Sequence, residues 1–226
     1  MDNELLKEIL AFLRELRDNN NREWFNANKS RYQRLKKGFD EFTGVLIDKV
    51  ALFDPEIKGL EVKDCVYRIY RDVRFSPDKS PYKIHFASFI AARGGRNSIR
   101  GGYYIHLQPD GCFLSGGIYC PEPAVLKRLR QDVFDNIDEF KGILNDKDFK
   151  KDFFGLDATN SLKRVPVPFP SDFPDGDLLK HKDYTVVSPK PDSYFESGDV
   201  LNKVMKVFEK LYPFNRFLNY TIDEMN

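Results

Sequence analysis

Leu5, Leu6, Ile9, Leu10, Leu13 and Leu16 recur at spacings of three and four, which predicts an amphipathic helix over residues 3–18. Asp18-Asn-Asn-Asn21 interrupts it. Asn20 with Glu23 three positions later matches a capping box, and Phe25, Tyr32, Leu35, Phe39, Phe42, Leu46 and Phe53 predict a second, longer helix that Asp54-Pro55 stops. The pair is expected as an antiparallel helical hairpin lying over a sheet.

Strand-like patterns follow at 60–63, 66–75, 85–92, 102–108 and 112–120, with a shorter one at 184–188. Most connections between them are too short for a crossover helix, so neighbours are expected to pair antiparallel. Gln108-Pro-Asp-Gly111 marks a hairpin in either of two registers. A two-residue loop pairs Ile105 with Leu114 and Tyr104 with Ser115, whereas a three-residue loop with Gly111 as a bulge places Leu114 opposite His106. Gly116-Gly117 suggests a bulge, or a close approach by another backbone or a ligand.

Pro121-Glu-Pro123 predicts the start of a third helix, with Leu126, Leu129, Val133, Ile137 and Phe140 toward the core. Leu162 to Tyr184 holds Pro166, Pro168, Pro170 and Pro174 among Phe and Leu, which predicts an ordered wrap rather than a linker. Ser197 is expected to cap the last long helix, with Leu201, Val204, Phe208 and Leu211 inward and Pro213 restarting a final turn or helix. The expected class is α+β: one domain over residues 3–220, mainly antiparallel sheet, covered by the N-terminal hairpin and further helices.

Composition narrows the function classes. Over 226 residues, 41% hydrophobic and 14% aromatic residues suffice for a packed interior, and a formal charge of +1 gives no global field for a nucleic-acid coat or a membrane surface. The acidic start, with no apolar run near the roughly 20 residues that a membrane span needs, points to a cytoplasmic protein. Cys65, Cys112 and Cys120 form no Cys-x-x-Cys pair and are expected as buried, reduced thiols without a role. Neither a phosphate-loop pattern nor a Gly-x-Gly-x-x-Gly turn is present, and no cofactor is implied.

Potential chemistry concentrates between Val66 and His85. Lys63, Arg68, Arg71, Arg74, Lys79 and Lys83 outnumber Asp64, Asp72 and Asp78 by three. In a strand, Arg71 would share an apolar face with Ile69, Val73 and Phe75, so it requires a carboxylate or carbonyl partner. One reading is an internal ion-pair lattice. The other is an anion site, since guanidinium and ammonium groups beside Ser76 and Ser80 suit phosphate or carboxylate. Arg93, Arg96 and Arg100, in a stretch without an acid, predict a mobile basic loop that can face a ligand.

Three blocks carry a resemblance. They are Asn19-Asn-Asn-Arg-Glu-Trp-Phe25 with Asn28-Lys29 and Tyr32; Arg68 to His85; and Gly101-Gly-Tyr-Tyr-Ile-His106 with Pro109-Asp-Gly111. Together they resemble domain-of-unknown-function family 2461, with a similar order of blocks through nearly the whole chain. The resemblance implies one intact α+β domain and a signature at Arg68, Arg71, Asp72, Arg74, Ser76, Asp78, Lys79, Tyr82, Lys83 and His85. It carries no activity and no catalytic assignment.

The expected ligand is therefore a small phosphate- or carboxylate-bearing molecule held by Arg68, Arg71, Arg74, Ser76, Lys79, Tyr82, Lys83 and Tyr104. His85 and His106 are the candidates for proton transfer, with Asp72 to orient either one. Their spacing does not match a metal motif, and His181, between Lys180 and Lys182, is expected at the surface. The alternative is an interaction module in which the basic loop and Tyr103 and Tyr104 engage protein or nucleic acid.

Overall fold

The structure, a computed structural model, describes residues 3–225. Helix α1 (Asn3–Asp18) buries Leu6, Ile9, Leu10, Leu13 and Leu16, as its spacing requires. The next helix is capped by Asn21 rather than Asn20: the Asn21 side chain accepts from the Trp24 N–H at 2.9 Å. The expected second helix is two, α2 (Arg22–Ala27) and α3 (Lys29–Val50), parted at Asn28, whose φ of −101° and ψ of 10° leave the helical region. One face of α3 carries Tyr32, Leu35, Phe39, Phe42 and Leu46 into the core.

The strands expected at 60–63 and 66–75 do not form. Val62–Cys65 is a short helix, α4, and the following stretch makes only isolated bridges, Val66 with Ser88 and Tyr70 with Tyr82. Charged side chains in 71–80 bond within their own loop, and Pro77 and Pro81 have no N–H to give a ladder. β-branched and aromatic composition here served packing instead: Tyr82 stacks on Phe25 with ring centroids 3.9 Å apart.

Four strands, β1 (Phe86–Ile90), β2 (Gly102–Leu107), β3 (Phe113–Ile118) and β4 (Tyr184–Pro189), form an antiparallel sheet in the order β1-β2-β3-β4. Ile105 pairs with Leu114 and Tyr104 with Ser115, the register of the two-residue loop. Its turn is closed by Gly111 N–H donating to the Gln108 carbonyl at 2.9 Å, with Asp110 at φ +62°.

Helix α5 (Pro123–Asp135) starts at its proline, and α6 (Ile137–Asn145) follows after a break at Asn136 that splits the predicted third helix. The wrap before β4 is irregular and ordered by aromatic packing, Phe134 lying 5.3 Å from Phe169 and 4.8 Å from Phe173. A short α7 (Asp192–Glu196) leads to α8 (Val200–Asp223). Two expectations about α8 are corrected. Ser197 does not cap it: its hydroxyl donates to the Tyr194 carbonyl at 2.8 Å, and left-handed Asp199 precedes the helix. Pro213 lies inside it, between Leu211 and Phe214, whose burial holds the helix together across the missing N–H.

Alternation divides the sheet. Ile90, Tyr103, Ile105, Leu114 and Val186 face α3 and α8 and are fully buried, while Phe89, Tyr104, Phe113 and Val187 point the other way. Asn215 and Asn219, one helical turn apart on α8, dock it to the sheet. Asn215 accepts from Gly117 N–H at 2.9 Å and donates to the Gly102 carbonyl at 3.0 Å, and Asn219 makes the same pair of bonds to Gly101. Gly117, at φ +105°, has no room for a side chain, since a Cβ there would stand 2.0 Å from the Tyr184 carbonyl oxygen. The glycine pair thus marks a close approach by protein backbone.

Candidate functional site

Most of the predicted cations are taken up by carboxylates and carbonyls close to them in the chain. Arg71 pairs with Asp78 and donates to the Ser80 carbonyl at 3.1 Å and to Ser76 Oγ at 3.3 Å. Arg74 grips Asp72 at 2.7 Å, and Lys79 donates to the Val73 carbonyl at 3.1 Å. Asp78 is held down to about pH 2 by bonds from Ser80 and by Arg71. The lattice closes the Ser-Pro loop on itself. Tyr82 is buried against Phe25, and both its backbone groups bond the Asn20 amide, at 3.0 and 3.2 Å, so the first and second sequence blocks meet here.

The basic loop is also accounted for. Arg100 is 2% exposed and pairs with both Glu56 and Asp223, and Arg93 reaches the same two carboxylates at 3.8 and 3.0 Å. Arg96 donates to the carbonyls of Lys63 and Val66 at 2.5 and 3.2 Å. Acids distant in sequence anchor this loop, contrary to the expectation of a mobile one.

Three cations of the signature have no carboxylate at ion-pair distance among the described residues, Arg68, Lys79 and Lys83, and of these Lys79 is taken up by the Val73 carbonyl. Arg68 is exposed, whereas Lys83 is half-buried and borders a cavity of about 780 Å³ on the outer face of the sheet. From His85 the chain alternates through Ala87 and Phe89, so period two delivers imidazole and phenyl to one side, and Lys83 joins them across a bend at Ile84. Tyr67, Tyr104, Phe113 and Tyr119 complete an aromatic wall, with Ser115, Thr185, Asp157 and Glu122 as polar rim.

Electrostatics differ sharply across this site. The Lys83 ammonium lies 5.3 Å from the centre of the Tyr67 ring, and burial, then the like charge of Arg68, lowers its pKa. His85 is pushed down to about 3 by burial, with His106 and Lys83 adding to the shift. Its ring lies 4.3 Å from that of His106 and makes no hydrogen bond among the described residues. His106 is 8% exposed, lies behind His85, and is also lowered by burial. Tyr104 Oη lies 2.9 Å from His106 Nδ1 and Gln108 Oε1 lies 3.3 Å from Nε2, which assigns the proton to Nε2 and a hydroxyl donor to Nδ1. At neutral pH both imidazoles are uncharged.

The structure therefore brings together Lys83, His85, His106 and Tyr104. It keeps Arg71, Arg74, Ser76, Lys79 and Asp72 in the Ser-Pro lattice and Tyr82 under α2; Asp72 is oriented toward Arg74, and Tyr104 and Gln108 orient His106. Among the described residues, no group of three or more His, Cys, Asp or Glu side chains could hold a metal ion. Two further expectations change. Cys120 is exposed at the cavity edge rather than buried, and His181 is 9% exposed, with Nδ1 3.0 Å from the Asp157 carbonyl.

The family model described as conserved hypothetical protein (DUF2461) matches residues 8–217. The chain belongs to that family. No match to the DUF2461 chain is found among the curated proteins or the solved structures. Its signature block is thus a composite: the Ser-Pro part ties the loop to α2, and the Lys83–His85 part borders the cavity. No helix among the described residues is long and apolar enough to cross a membrane.

Sequence reasoning missed Tyr67, Phe89, Phe113 and Thr185 as lining residues. The signal for Phe89 was the alternation continuing from His85; Tyr67, Phe113 and Thr185 carry none, because sheet pairing places Phe113 and Thr185 there and a bond from the Tyr67 N–H to the Ala87 carbonyl places Tyr67.

Proposed function

We propose that the DUF2461 chain binds a small ligand with an apolar, preferably aromatic, body and one anionic group in the outer-face cavity. The observation that carries this reading is Lys83, half-buried at an aromatic-walled cavity with no carboxylate beside it. A cation in that position is stabilised by an anion from outside, and the tyrosine and phenylalanine walls supply the apolar contact area. His85 and His106, uncharged and adjacent, add hydrogen-bonding capacity and leave the anion's charge to the lysine.

A thermal-shift titration with 3-phenylpropionate and phenyl phosphate tests it. Ligand at 100 times its dissociation constant stabilises the fold by about 2.7 kcal/mol, which raises the melting temperature by a few degrees. Lys83→Met should abolish that shift. No shift with either probe in the wild-type protein removes the reading. The alternative of a nucleic-acid or protein interaction module draws on the charge of the basic loop, and Glu56 and Asp223 already neutralise Arg93 and Arg100.

A further inference from the structure

We infer that Lys83 captures the carbonyl carbon of a 2-oxo acid as an imine, the cavity housing the acid's apolar side chain. The inference rests on the cavity reading and gives its ligand a chemical class. Three features of the geometry point to it. Lys83 is not committed to any carboxylate, so its nitrogen is available. It stands over the Tyr67 ring beside the cation Arg68 in a partly desolvated place, the surroundings that make a lysine nucleophilic. His85 borders the same cavity with both ring nitrogens unclaimed, next to His106.

A 2-oxo acid suits one nitrogen in two successive roles. Its carboxylate is bonded to the carbonyl carbon, so the ammonium that attracts the anion stands beside the atom it then attacks. The neutral amine forms a C–N bond while the carbonyl π pair moves to oxygen, which takes up a proton. The carbinolamine then expels that oxygen as water, taking up a second proton, and the nitrogen lone pair closes the C=N bond. Ammonium plus ketone yields protonated imine plus water, with charge unchanged and no oxidant or reductant consumed. The positive charge beside the carboxylate is present in the ammonium that captures the acid and again in the protonated imine. His85, uncharged at rest, is placed to take a proton from the attacking nitrogen and return it to the departing oxygen.

Phenylpyruvate with sodium borohydride is the test, read by peptide mass spectrometry on the full chain. Hydride reduction of an imine leaves a stable secondary amine on the lysine that formed it. The label should concentrate on Lys83, at least about tenfold above any other lysine, since burial there favours the free amine and the cavity holds the ketone beside it. Excess 3-phenylpropionate, which has the carboxylate and ring but no ketone, should suppress it. Lys83→Arg keeps the cation but has no nucleophilic amine, so phenylpyruvate should still raise its melting temperature while the adduct disappears. Label absent or spread evenly over surface lysines, with 3-phenylpropionate still stabilising the wild type through Lys83, overturns the imine and leaves the cavity reading standing. Failure of both acids to shift the wild-type melting temperature overturns the two together.

Discussion

The two faces of the sheet share one alternation of residues and differ in what meets them. On the core face, α8 supplies partners for backbone groups at its close approach to the sheet: Asn215 and Asn219 bond Gly101, Gly102 and Gly117, and beside them Tyr103 donates to Asp54 at 2.9 Å. On the outer face, Lys83 has no carboxylate and His85 no hydrogen bond among the described residues. The same contrast holds between two cations at the edge of one cavity. Arg100 lies between two carboxylates, while Lys83 stands over a tyrosine ring. Saturated polar groups hold a fold in one arrangement; unsaturated ones at a cavity leave interaction capacity for something that is not part of the chain.

The contrast breaks most visibly at Asn215. Asn215→Ala strands the buried Gly117 N–H and Gly102 carbonyl, so urea denaturation should show a loss of about 2 to 5 kcal/mol. An effect under about 0.5 kcal/mol would mean that the core face is no more saturated than the outer one.

A smaller effect separates the faces by pH. His85 ordinarily titrates at 6.5 and is held down to about 3 in the fold, so between those values the unfolded chain binds a proton that the folded chain does not. Stability is full above about pH 6.5 and falls as pH drops toward 3, the loss at pH 5 reaching up to about 2 kcal/mol. His106 is lowered too and acts in the same sense, so His85→Gln should flatten the pH dependence of the denaturation midpoint without abolishing it. An unchanged slope in that variant would show His85 to be solvated.

The smallest expected change sharpens the comparison most. Lys83→Met removes a cation with no carboxylate partner and should leave stability within about 1 kcal/mol of wild type, on the side of a gain. A loss beyond about 2 kcal/mol would place Lys83 among the structural cations with Arg100.

Much of the fold was legible from position along the chain. Helix α1, strands β2 to β4 and the buried stripe of α3 follow from spacings of three, four and two, which any neighbouring apolar surface satisfies. The α+β class follows from short connections. Other elements were not legible for stated reasons: the 66–75 segment has strand composition but spends its hydrogen bonds inside a loop, and Asn20 and Asn21 differ only in what lies near them, Tyr82 for one and the Trp24 N–H for the other.

The candidate site divides in the same way. Local sequence determined that cations would exceed acids between Lys63 and Lys83, and a strand over 85–92 carries His85 and Phe89 on one side. Only tertiary structure decided which cations remained without acids, because Glu56 and Asp223 approach Arg93 and Arg100 from far along the chain. It also decided that His106 lies behind His85, through the register of β1 with β2. Charge excess is a property of a segment, whereas neutralisation falls off within a few ångströms and depends on which distant segments folding brings there.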